Sequence, residues 1–183
     1  MSALRSVLVV LLILTSMGLF LMEFNLWPTQ RADQSSLENE NTLATLDPQN
    51  PCGPVAVRVI SQCLGVSTSL SKCGEIVPCD SLGRSTMAEL QKGLETLGIL
   101  SVGITVHQES ISEIKLPMIM HVNNNHFVVS LPNDHGVTVI IDPPKAPVPA
   151  DTLPFKWDGH ALLCSNSKAA LNAELDRLGV ELP

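Results

Sequence analysis

Three residues of this chain have the types and order for nucleophilic chemistry: Cys52, His126 and Asp142. Cys52 stands in Asn50-Pro51-Cys52-Gly53-Pro54-Val55-Ala56, just ahead of an apolar run with helical spacing. The partial positive end of a helix favours a thiolate. That makes Cys52 the best nucleophile candidate of the five cysteines; the others are Cys63, Cys73, Cys79 and Cys164. His126 opens one apolar strand and Asp142 follows another. If a five-residue loop over 132–136 pairs Leu131 with Val137, the antiparallel register sets His126 directly opposite Asp142 on one face. The carboxylate can then fix the imidazole tautomer, and the imidazole can take the thiol proton. This is the chemistry of a thiol hydrolase. His107, His121, His135 and His160 lack such partners and read as surface or core residues.

The rival uses of cysteine are weaker. Zinc sites show close Cys pairs with His partners. Here Cys73 and Cys79 are six apart and no close second pair follows. A thiol-redox protein would carry Cys-x-x-Cys, which is missing. An odd cysteine count fits one free thiol and up to two disulfides. Cys63 lies in a helical stripe, as a buried small hydrophobe or half of a disulfide. The pattern calls for no metal and no cofactor. Net charge is −7 and aromatics are 3%, with no Tyr. An acidic, aromatic-poor chain offers no footprint for nucleic acid.

Elements must carry these residues and deliver them to their compartment. Arg5 precedes an apolar run from Val7 to Met22, about 24 Å long as a helix. With Leu26 and Trp27 at the interface it can span a bilayer. No small-residue cleavage site follows, so residues 1–27 read as an uncleaved signal anchor, with a cleaved signal peptide as the rival. The positive-inside rule sends the rest outward, giving a single-pass membrane protein with an extracytoplasmic domain. Residues 28–47 are polar and acidic, a flexible stalk. Residues 48–183 form the domain.

Within it, Cys52 to Leu64 reads as a helix that Gly65 ends, with Pro54 suited to the first turn. Thr86-Met87-Ala88-Glu89 is a capping box for a second helix that Gly98 closes. Leu100, Val102, Ile104 and Val106 alternate as a strand. Residues 111–116 allow a helical turn. Strands follow over 118–122, 126–131 and 137–141, and 159–164 reads as an edge strand. Residues 169–178 form a terminal amphipathic helix.

Several of these segments together resemble a known family. They are Cys52-Gly53-Pro54-Val55-Ala56, the capped helix Thr86–Gly98, Leu116-Pro117-Met118-Ile119-Met120-His121-Val122, Asn125-His126-Phe127-Val128-Val129, Ile141-Asp142-Pro143 and Phe155-Lys156-Trp157-Asp158-Gly159-His160-Ala161-Leu162-Leu163. Over residues 48–165 the chain is similar to the C39 peptidases, the bacteriocin-processing papain-like cysteine peptidases. The resemblance implies a papain-like α+β fold, in which a helix bearing the cysteine packs on an antiparallel sheet. It also implies a peptide or protein substrate and a catalytic triad of Cys52, His126 and Asp142. The family places an oxyanion-binding glutamine six residues before the cysteine, where this chain has Leu46. Gln49 is the nearby substitute. That departure keeps a second reading open, a catalytically inactive peptide-binding module.

Overall fold

A computed structural model describes residues 51–123, 125–132, 137–153 and 157–180. The expected signal anchor, the stalk, Leu46 and Gln49 lie outside the described residues. Among the described residues no helix is long and apolar enough to cross a membrane.

The first helix, α1, spans Cys52–Cys63, with Pro51 as its N-cap. Proline gives that cap no side-chain hydrogen bond to the first turn, so no capping side chain occupies the N–H groups that open the helix. Gly65 adopts φ 71° just past the helix end, the left-handed conformation that glycine accepts cheaply. A short helix α2, Leu70–Ile76, is capped by the Ser69 hydroxyl. The capping box forms as the sequence predicts: Thr86 and Glu89 cap each other at the start of α3, Met87–Thr96. The last helix, α4, is Lys168–Leu178.

The strands are β1 Leu100–Thr105, β2 Met118–Val122, β3 His126–Pro132, β4 Thr138–Ile141, β5 Val148–Pro149 and β6 Trp157–Ser165. They form one sheet in the order β1-β6-β2-β3-β4-β5, with every neighbouring pair antiparallel. This is the expected α+β architecture of helices on an antiparallel sheet. The helical turn expected at 111–116 is a 3-10 helix that begins and ends three residues earlier, at Gln108–Glu113.

Two expectations about the sheet are corrected. The segment read as an edge strand, 159–164, is interior: β6 runs between β1 and β2. Between Ala161 and Trp157 it takes four steps where β2 takes two. The bulge falls at Gly159, whose φ is 91° and where a Cβ would stand 2.7 Å from the Val106 carbonyl oxygen, leaving no room for a side chain. The second correction is the β3–β4 register. Pro132 pairs with Thr138 and Leu131 with Val139, not with Val137. Pro132 continues the strand, so the ladder is shifted by two residues from the one expected.

Alternation puts side chains of β3 into two cores. Phe127, Val129 and Leu131 meet Val57, Ile60, Leu90 and Leu94 of α1 and α3. Val128 joins Met118, Met120, Ile140 and Leu163 against Leu171 and Leu175 of α4. With both faces covered, β3 reads as a nearly continuous apolar run.

Candidate active site

Pro51 starts α1 at Cys52, and packing fixes where that start lies. A Cβ on Gly53 would stand 2.7 Å from Ser85 Oγ. Only a glycine lets the loop before α3 come this close to the helix. The other wall is β3, whose first residue is His126. The His126 imidazole and the Phe127 backbone N–H stand beside the Cys52 thiol and lower its pKa. His126 Nε2 lies 2.6 Å from Asp142 Oδ1, which leaves Nδ1 for the thiol.

The structure thus brings Cys52, His126 and Asp142 together, but not by the expected route. In the observed register Val129 faces Ile141, so Asp142 is a diagonal neighbour of His126 rather than its opposite. Diagonal pairs are roughly 7–8 Å apart at the backbone, within reach of a long side chain. The imidazole covers that gap. Gln49 falls outside the described residues.

The electrostatics follow from burial and these bonds. Burial pushes the Cys52 thiol up, but the His126 hydrogen bond, the Phe127 N–H and the imidazole charge outweigh it, so it lies below an ordinary thiol. Asp142, and then Cys52, raise His126 from 6.5 to about 9. Burial also raises Asp142, whose side chain is 8% exposed. His126 and Lys145 more than compensate and hold it below the usual carboxylate range. The arrangement favours a thiolate–imidazolium pair, which can attack an electrophilic carbon and return a proton to a leaving group.

Lys145 was not singled out in the sequence. Its Nζ donates to Asp142 Oδ2 at 2.7 Å, and its backbone N–H donates to the Asp142 carbonyl at 2.8 Å. The available signal was the turn: Pro143 and Pro144 have no N–H, so Lys145 is the next residue able to close it. A cleft of about 580 Å³ opens next to the start of β3, and none of Cys52, His126 and Asp142 lines it. Asn125 and Phe127, which flank His126, line one wall, and Ser85, Thr86 and Met87 line another.

The remaining cysteines correct the disulfide expectation, since all five are free. Cys73 and Cys164 are buried, whereas Cys63 and Cys79 are exposed. Cys63 is the last residue of α1 and leaves the buried stripe at the helix end. Among the described residues no group of His, Cys, Asp or Glu could hold a metal ion.

A helix-borne cysteine set against an antiparallel sheet that carries histidine and aspartate defines a class of thiol hydrolase folds. The chain belongs to the peptidase C39 family, a family of cysteine peptidases, whose model matches residues 43–169. Solved structures share the fold. A double glycine motif protease from an AMS/PCAT transporter, in complex with a leader peptide, is 21% identical with a TM-score of 0.53, covering 62% of this chain and 82% of that one. The peptidase domain of Streptococcus ComA, a bi-functional ABC transporter, is 17% identical with a TM-score of 0.54, covering 66% and 94%. The peptidase C39-like domain of a toxin secretion ATP-binding protein from Vibrio parahaemolyticus is 19% identical with a TM-score of 0.51, covering 66% and 100%. No curated protein matches the chain.

Proposed function

We propose that this protein is a membrane-anchored cysteine peptidase that cuts a peptide bond through Cys52, His126 and Asp142. The observation that carries this reading is a linked set: Cys52 at a helix start, its thiol lowered by the His126 imidazole, and His126 bonded to a buried Asp142 at 2.6 Å. Cys52 is the nucleophile. His126 takes its proton and then gives it to the leaving amine, and Asp142 fixes the ring so that Nδ1 faces the sulfur. Water then releases the acyl group. The developing oxyanion would lie at the uncapped start of α1, where free N–H groups can receive it.

The substrate in this reading is a peptide. The support is family membership, the cleft beside His126, and a relative by fold that holds a leader peptide. The N-terminal apolar run anchors the chain in a single pass, with the domain on the extracytoplasmic side. Residues 28–47 form the stalk. One sequence feature favours the second reading, a peptide-binding module without turnover: Leu46 stands where the family has its oxyanion glutamine.

The test uses a peptide electrophile that acylates active thiols. The full chain should label at Cys52 alone, and Cys52→Ala should abolish both labelling and peptide hydrolysis while leaving the fold intact. Gln49→Ala tests the oxyanion role, with a rate loss of about 10²-fold expected if Gln49 supplies the donor. Peptide binding that survives without any Cys52 labelling would favour the binding module.

A further inference from the structure

We propose that Lys145 is a positioning residue for this site: it clamps Asp142 Oδ2 and thereby sets both the orientation of the carboxylate and the proton affinity of His126. The inference rests on the reading of Cys52, His126 and Asp142 given above. The two oxygens of Asp142 are divided, Oδ1 to His126 at 2.6 Å and Oδ2 to Lys145 at 2.7 Å. The carboxylate is nearly buried, so Oδ2 has little water to turn to. A buried acceptor without a partner is costly, and an unclamped carboxylate would rotate to find one. Lys145 prevents that rotation. It is held to the same residue twice, by its ammonium group and by its backbone N–H. The turn through Pro143 and Pro144 therefore delivers the cation to a fixed place.

The charge matters as much as the geometry. Among the described residues, His126 and Lys145 are the charged groups acting on Asp142, and Asp142 and Cys52 those acting on His126. A buried aspartate with no cation behind it would bear on the imidazolium undiluted. The imidazolium would then be a weaker acid toward a leaving amine. Lys145 offsets part of the negative charge and keeps the ring able to release its proton. Its side chain is 69% exposed, and ion pairs with exposed cations contribute little to stability. The effect of losing it should fall on the site rather than on the fold.

The test measures alkylation of Cys52 by iodoacetamide as a function of pH in the full chain, read by mass spectrometry of the Cys52 peptide. Wild type, Lys145→Met and Lys145→Arg are compared. The wild-type profile should inflect a second time where His126 loses its proton, at about 9. In Lys145→Met that inflection should move up by about 0.5 pH, as expected for one unit charge acting through a largely aqueous path. Lys145→Arg should restore it. Added salt should move the wild-type inflection toward the Met variant's and leave the Met variant's in place. Superimposable wild-type and Lys145→Met profiles, with the inflection near 9 present in both, would overturn the proposal and leave the triad reading standing. A wild-type Cys52 that alkylates as an ordinary thiol, with no second inflection, would overturn the triad reading and this inference with it.

Discussion

Replacing Asp142 with asparagine tests how the site makes its nucleophile. His126 is raised from 6.5 to about 9, with the Asp142 hydrogen bond as the largest cause, the Cys52 bond next, and burial opposing both. A close opposite charge raises such a group by roughly 1–3 pH. Asp142→Asn keeps the shape and removes the charge, so the His126 midpoint should fall to about 7. At pH 8 the ring would change from about nine-tenths protonated to about one-tenth, a roughly tenfold loss of imidazolium. An amide that presents its NH₂ to the ring also disturbs the tautomer, so the combined loss in turnover should be about 10–10²-fold. The assay is a two-dimensional NMR titration of the His126 ring proton in both proteins. A midpoint that stays within half a unit of wild type in Asp142→Asn would refute the reasoning. The same quantities give a stability signature. A group raised on folding contributes stability that is complete below its unfolded value of 6.5 and is lost as pH rises through about 9. Denaturant midpoints should fall across that window in wild type and less in Asp142→Asn.

Other outcomes follow from the packing. Without denaturant, a thiol reagent should label Cys52, Cys63 and Cys79, and unfolding should add the buried Cys73 and Cys164; non-reducing mass spectrometry that finds a bridge would contradict five free thiols. Gly53→Ala should destabilise by about 1–3 kcal/mol and slow Cys52 alkylation, because its Cβ would meet Ser85 Oγ at 2.7 Å; an unchanged melting temperature would show that the loop yields. The full chain should stay in the membrane fraction after a carbonate wash, whereas a soluble mature form starting near residue 30 would remove the anchor.

Cys52 at a helix start was legible because Pro54 acts locally, through a first turn that tolerates proline. The Thr86–Glu89 box was legible for the same reason: its bonds span three residues. Alternation in β3 and β4 fixed which face each side chain takes. It could not fix the register, because a two-residue pattern is unchanged by a slip of two. His126 and Asp142 were therefore placed on the correct shared face but with the wrong partners opposite them. The ladder pairs Pro132 with Thr138, and the length of the imidazole made the diagonal contact. The interior place of β6 rests on pairing with two strands distant in sequence, and no local pattern names a distant partner. The clamp by Lys145 depended on Asp142 being buried with one oxygen still to satisfy. Local propensity and periodicity thus gave the elements and the faces of their residues. The long-range register and burial, which exist only once the chain is packed, decided which of those residues touch.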